Sequence, residues 1–83
     1  MQQNLSAVDV RRLISRATFI NQMRSQLIGS PKADDFNKRF GCVTTWQQNN
    51  VRATDIDLVE NELRTWLKTN KVVPNGQTPH IRG

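Results

Sequence analysis

The chain of 83 residues is poor in the side chains from which active sites are built, because it has one cysteine, one histidine and no tyrosine. The lone cysteine excludes an internal disulfide. Cys42 and His80 are far apart in sequence, so the chain has no close pair of ligands that would suggest a zinc site. With only four glycines, the chain also lacks a glycine-rich phosphate loop. Its paired acids stand at predicted helix starts, where a carboxylate stabilises the helix dipole and stays ionised. We therefore expect no enzyme activity, no metal site, no cofactor and no small-molecule substrate.

Long apolar runs are also missing. None approaches the roughly 18 residues that a membrane span needs, and the first residues show neither the basic region nor the apolar segment of a secretion signal. With a single cysteine, this favours a cytoplasmic protein without a membrane partner. Aromatic residues make up only 6% of the chain, and a domain this short buries a limited core. A second copy would supply more core, so we expect a homodimer.

Positive charge is what the chain has in excess. Lys and Arg number 12 against 7 Asp and Glu, which gives a formal net charge of +5. Proteins of this kind often meet nucleic acid or acidic protein surfaces. The excess is uneven, because residues 54–70 hold four acids against Arg64 and Lys68. An anion-binding surface should therefore avoid this segment, or use only its carboxyl-terminal end.

Apolar spacing and helix-end signals predict an all-α fold. We expect a small bundle of three to four helices, over about residues 6–28, 31–40, 44–50 and 55–69. Residues 1–70 would then form a single helical domain, followed by a basic, turn-rich tail over residues 71–83.

The helix ends carry specific signals. Ser6 is the expected N-cap of the first helix, and Gly29 its end. Pro31 suits the first turn of the second helix, and Gly41 is expected to end that helix in the left-handed conformation. Thr44 is the expected cap of a short third helix that is rich in amide side chains.

Residues 31–50 have the layout of a helix-turn-helix, whose second helix reads base edges in the major groove. Gln and Asn suit adenine, and Arg suits guanine or phosphate. The motif's apolar position about six residues after the glycine is occupied here by Gln47, which departs from the pattern. We nevertheless predict a small DNA-binding regulatory protein. The predicted contacts to duplex DNA are Arg11, Arg12, Arg16, Lys38, Arg39, Thr44, Thr45, Gln47, Gln48, Asn49 and Arg52.

The alternative is an accessory or inhibitory factor that docks on a larger protein. Its basis is the first helix, in which Phe19, Met23 and Leu27 form a second apolar face, rotated from the stripe that contains Leu13 and Ile14. An apolar face displaced from the core marks a partner surface. Small size, helical structure and the lack of catalytic groups are shared with many factors from phages and mobile elements.

Overall fold

The computed structural model describes residues 5–74, which form three α-helices and one 3₁₀ helix and contain no strand. Helix α1 spans Ala7–Gln26, α2 spans Ala33–Phe40 and α3 spans Ala53–Thr69. The 3₁₀ helix Gly41–Thr45 follows α2 directly. The predicted all-α fold is confirmed. The first four residues and most of the predicted tail, residues 75–83, lie outside the described part of the chain.

The start and end of α1 follow from local chemistry. The Ser6 hydroxyl accepts a hydrogen bond from the Asp9 backbone N–H at 3.1 Å, as expected of an N-cap. Gly29 has a φ of +87°, which a residue without Cβ adopts at no steric cost, and the chain turns there. The Ser30 hydroxyl accepts from the Lys32 N–H at 3.1 Å. Pro31 lies within this turn and not in the helix, so α2 begins at Ala33 and not at residue 31.

Gly41 does not end α2 in the way its sequence position suggests. Its φ and ψ are −58° and −34°, in the right-handed helical region, so the chain continues and tightens into the 3₁₀ helix. The Thr44 hydroxyl donates to the Gly41 carbonyl at 2.9 Å, and the Thr45 hydroxyl donates to the Cys42 carbonyl at 2.8 Å. These side chains satisfy carbonyls that an α-helix would have satisfied with main-chain N–H groups.

The predicted helix over residues 44–50 is wrong. The 3₁₀ helix ends at Thr45, and residues 46–50 form an extended step and a turn. The Asn50 side chain accepts from the Gln47 N–H at 2.8 Å, and the Asn50 N–H donates to the Gln47 carbonyl at 2.9 Å. A turn closed by its own Asn competes with helix formation, because the side chain replaces the bonds that a further helical turn would make.

Helix α3 begins two residues earlier than predicted. The Asp55 carboxylate accepts from the Arg52 backbone N–H at 3.0 Å, so Arg52 stands at the N-cap position and Ala53 is the first helical residue. The helix ends with Asn70 as its C-cap, and Lys71 has a φ of 55°. That left-handed residue stops the helix at the point where glycine is more usual.

One main core joins all the helices. Trp66 packs edge to face with Phe36 and Phe40, and the Phe36 ring centroid lies 5.0 Å from each of the other two rings. The remaining buried members are Ile20, Met23, Leu27, Val43, Val59 and Leu63. A second, smaller cluster contains Leu13, Val51 and Ile56, and half-buried Trp46 packs against both clusters. Trp46 thus anchors the turn at residues 46–50 to the core.

Helices α1 and α3 run parallel. Arg12 contacts Asp57 and Glu60, and further along α1 the Gln26 side chain donates to the Val73 carbonyl at 2.9 Å. The contacts therefore advance in the same direction on both helices. Because both helices point the same way, the chain has to return from the end of α1 to the level of its beginning. It does so through α2, the 3₁₀ helix and the turn at residues 46–52. Both amino-terminal ends lie at one pole of the molecule, and both carboxyl-terminal ends lie at the other.

The first apolar stripe of α1 is only partly buried. Leu13 is 5% exposed and packs with Val51 and Ile56, whereas neighbouring Ile14 is 59% exposed. The sequence placed both on the core face, but α1 is rotated so that its later residues Ile20, Met23 and Leu27 face the main core. Burying these three large side chains stabilises the fold more than burying Ile14 alone would, so Ile14 remains in solvent.

We expect this rotation to be visible in the stability of two adjacent variants. Leu13→Ala should lower the free energy of unfolding by about 2–4 kcal/mol, because it leaves a cavity in the smaller cluster. Ile14→Ala should change it by less than about 0.5 kcal/mol, as is usual at an exposed site. Urea unfolding followed by circular dichroism measures both. Equal losses for the two variants would contradict the orientation of α1.

Candidate nucleic-acid interface

Arg12 is the centre of an ion cluster that joins α1 to α3. Its Nη1 lies 2.9 Å from Asp9 Oδ1, and its Nη2 lies 2.8 Å from Glu60 Oε1 and also contacts Asp57 Oδ1. Its Nε lies 3.3 Å from Glu60 Oε2. The hydrogen bond to Glu60, followed by those to Asp57 and Asp9, raises the pKa of Arg12 above its ordinary value. Arg12 was predicted to contact phosphate, and three carboxylates occupy it instead.

The occupation of Glu60 by Arg12 leaves Arg16 without an acceptor. Both carboxylate oxygens of Glu60 accept from Arg12. The Nε of Arg16 lies 4.0 Å from Glu60 Oε2, beyond hydrogen-bonding distance, and this Nε is buried with no hydrogen-bond partner. The Arg16 guanidinium lies over the Phe19 ring, 5.4 Å from its centroid. A buried charged donor without a partner is unusual in a folded protein.

Arg64 of α3 lies near this position, and two further cations, Lys68 and Lys71, follow it along the chain. Arg64 lines the same groove between α1 and α3 as Arg16, and its Nη1 donates to Asn61 Oδ1 at a long 3.3 Å. Lys68 is one helical turn beyond Arg64, on the same face of α3. Lys71 follows directly after the helix. Among residues 5–74, no ion pair involves Arg64, Lys68 or Lys71. We call Arg16, Arg64, Lys68 and Lys71 the basic face.

Within α1 and α3, the acids lie toward the amino-terminal end of the helix, whereas Asp34 and Asp35 stand on α2, where Asp35 contacts Trp66 of α3. No acid follows Asp9 in α1, and none occurs in residues 63–74. Parallel helices present two positive dipole ends at one pole, which favours carboxylates there, and two negative dipole ends at the other, which favours cations. The two carboxyl-terminal ends together amount to about one negative charge. The three basic residues within residues 64–74, with Arg24 in the last turn of α1, exceed that charge.

On the opposite side of α3, a cleft lies between α2 and α3. It encloses about 520 Å³, and Phe40 and Trp66 are among its lining residues. The Trp66 indole N–H donates to Asp35 Oδ2 at 2.7 Å, and the Arg39 Nε lies 3.1 Å from the same oxygen. The indole hydrogen bond first, and then Arg39, lower the pKa of Asp35 below its ordinary value. Arg39, a predicted phosphate contact, is thus paired within its own helix.

The other predicted DNA contacts are either exposed side chains or threonines that are hydrogen-bonded within the 3₁₀ helix. Val51 packs against Leu13, so the turn with Gln47, Gln48 and Asn49 lies beside the amino-terminal half of α1. All three amides are exposed, as are Arg11, Lys38 and Arg52. Thr44 and Thr45 use their hydroxyl hydrogens on carbonyls of the 3₁₀ helix. The structure therefore brings the turn and α1 together, but it forms no second helix that could enter a groove.

The predicted partner surface on α1 needs correction. Met23 is 1% exposed and Leu27 is 5% exposed, so both belong to the main core. Phe19 is half-buried and packs against that core beneath Arg16. The second apolar face is real, but α2, the 3₁₀ helix and α3 cover it. Its rotation from the first stripe reflects burial within the chain.

The DNA contacts predicted from the sequence did not include Arg64, Lys68 or Lys71. One signal pointed to them: the acids of residues 54–70 precede the bases, which left the carboxyl-terminal end of this segment as a possible anion-binding surface. Arg64 lies in the same groove as Arg16 because α1 and α3 pack in parallel, and the sequence did not reveal this packing.

No protein-family model matches the chain, and neither a curated protein nor a solved structure matches it. In residues 5–74, no three His, Cys, Asp or Glu side chains are placed to hold a metal ion together. Within the same range, every helix is too short or too polar to cross a membrane.

The ion cluster generates a prediction about salt. Arg12→Gln leaves three carboxylates without their shared cation, so we expect a lower midpoint of thermal unfolding at low ionic strength. The difference from the unmodified protein should shrink in 1 M NaCl, which screens repulsion among partly exposed charges. Arg11→Gln is the matched control, since this exposed neighbour removes the same charge outside the cluster. A salt-independent loss on Arg12→Gln would show that packing, and not charge, is the main contribution.

Asp35 generates a prediction about acid. Its folded-state pKa is lowered, so its contribution to stability is present above the unfolded pKa of about 3.9 and is lost as the pH falls through the lower folded value. Trp66→Phe removes the indole donor that is the main cause of the lowered pKa. Unfolding free energies measured between neutral pH and strongly acidic pH should therefore fall less steeply with acid in Trp66→Phe. An unchanged slope below about pH 4 would rule out this role.

Proposed function

We propose that this chain is a small basic DNA-binding protein that contacts the phosphate backbone of duplex DNA through its basic face. The observation that carries the proposal is that Arg64, Lys68 and Lys71 form no ion pair among the described residues, and that Arg16, which lines a groove with Arg64, has only a long contact of 4.0 Å to Glu60. A duplex carries one negative charge per about 1.7 Å, so several cations on one protein can meet several phosphates at once.

Backbone contact fits this geometry better than base reading by a helix-turn-helix. The residues predicted to enter the major groove stand on a turn at the pole where Asp9, Asp55 and Asp57 are gathered. A turn does not give the predicted groove-reading side chains the regular spacing with which a helix meets base edges in the major groove. The basic face has no acid among its own residues, and the nearest carboxylate, that of Glu60, is occupied by Arg12. We therefore expect binding that depends strongly on salt and weakly on sequence.

A titration of duplex DNA against salt tests this proposal. The double variant Lys68→Gln/Lys71→Gln should bind more weakly, and the slope of log K against log salt should become shallower by about 1.8, since each lost phosphate contact removes about 0.9. The matched double variant Arg11→Gln/Arg52→Gln removes the same charge at the predicted groove-reading site. It should leave the slope unchanged.

Two results would contradict the proposal. The first is the absence of duplex binding by the unmodified protein at low salt. The second is a larger effect of the Arg11 and Arg52 changes than of the Lys68 and Lys71 changes, which would return the contact to the turn at residues 46–52.

Docking on a larger protein is the second candidate. Of the three residues first considered for it, Met23 and Leu27 lie in the core. The cleft between α2 and α3 is the observation that favours a partner, because its volume of about 520 Å³ and its aromatic lining suit an inserted apolar side chain. Its rim carries both signs of charge, with Arg39 on α2 and Glu62 on α3.

A further inference from the structure

We infer that the groove between α1 and α3 is a binding site for one phosphate group, with Arg16 and Arg64 as its two ligands. The inference rests on the proposed function, since a backbone phosphate of DNA is one source of this group. Free inorganic phosphate is the other source. The site is a specific pocket, distinct from the general attraction of the basic face.

The first argument is the unsatisfied donor. The Arg16 Nε is buried and has no partner, although a charged N–H group that has been removed from water requires an acceptor. Protein atoms cover this Nε, and among residues 5–74 the Arg16 guanidinium makes no hydrogen bond, while its side chain is 30% exposed. Its outer Nη groups are therefore the donors that remain for an incoming anion. The groove into which Arg16 faces encloses about 360 Å³, which is ample for a phosphate group.

The second argument is the charge balance of the groove. Its lining contains two cations, Arg16 and Arg64, and one acid, Glu60. Both oxygens of Glu60 already accept hydrogen bonds from Arg12, which also contacts Asp9 and Asp57. The acid is thus neutralised from outside the groove, and two guanidinium groups remain for an incoming anion. Phosphate suits this pair, since planar guanidinium groups bind oxyanions through paired N–H donors.

The third argument is the support beneath the ligands. Phe19 lies under the Arg16 guanidinium, and Leu63 and Leu67 of α3 line the same groove. Apolar neighbours exclude water from one side of the arginines, which strengthens their interaction with an anion. Arg16 and Arg64 stand on two rigid helices that the Arg12 cluster holds together, so the site requires little reorganisation when it binds.

The arginine Nε–H groups provide a direct readout. We expect the ¹⁵N–¹H signals of Arg16 and Arg64 to shift on titration with inorganic phosphate at constant ionic strength, and to saturate. Arg16→Gln should weaken phosphate binding about tenfold, the effect of one charge-assisted hydrogen bond. Arg16→Lys keeps the charge but lacks the paired N–H donors of a planar guanidinium, and it should weaken binding by a similar factor. Arg24→Gln is the matched control, because it removes a charge from α1 outside the groove, and it should stay within about twofold.

A parallel titration with duplex DNA separates this inference from the proposed function. Saturating shifts of Arg16 with both ligands support both. Saturation with phosphate but no binding of duplex supports the site and overturns the proposed function. Duplex binding that leaves the Arg16 signal unmoved, or that Arg16→Gln does not weaken, overturns the site and leaves the proposed function standing. A linear, unsaturated response to phosphate, or full binding by Arg16→Lys, also overturns the site. No response to either ligand overturns both.

Discussion

The contact between Arg12 and the carboxylates of Asp9, Asp57 and Glu60 is the interaction on which the surface of this protein depends. It joins two helices that are far apart in sequence and keeps their amino-terminal halves side by side. Parallel helices place like dipole ends together, an arrangement that requires compensation. Carboxylates at the amino-terminal pole and cations at the carboxyl-terminal pole supply it.

This arrangement separates charges that would otherwise neutralise one another. Glu60 is placed within reach of both Arg12 and Arg16, and Arg12 takes both of its oxygens. Arg16 is then left beside Arg64 with a buried donor and no acceptor. The anion-binding site that we propose in the groove therefore depends on the ion cluster next to it. The hydrophobic core fixes the spacing, because Leu63 and Trp66 hold α3 against Ile20 and Met23 of α1.

Local sequence signals predicted the structure correctly where the groups that they depend on are also close in sequence. Ser6 caps α1 because the amide it binds is three residues away, and Gly29 turns the chain because its own backbone allows it. Gly41 carries the same signal and does not follow it. Val43 is drawn into the core two residues later, and the chain tightens into a 3₁₀ helix to place it there. Residues 47–50 were predicted to belong to a DNA-reading helix. The hydrogen bond from the Gln47 N–H to the Asn50 side chain closes a turn there instead.

The amino-acid sequence by itself determined the all-α class, the three main helices and the excess of positive charge, since these follow from spacing, helix ends and composition within a few residues. Only the tertiary structure decided which faces are buried and which charges remain unpaired. Met23 and Leu27 became core, Ile14 became surface, Arg12 was neutralised, and Arg16 was left beside Arg64. The physical reason is that burial and ion pairing depend on neighbours contributed by another helix. The parallel packing that brings those neighbours together leaves no mark in the local pattern of either helix.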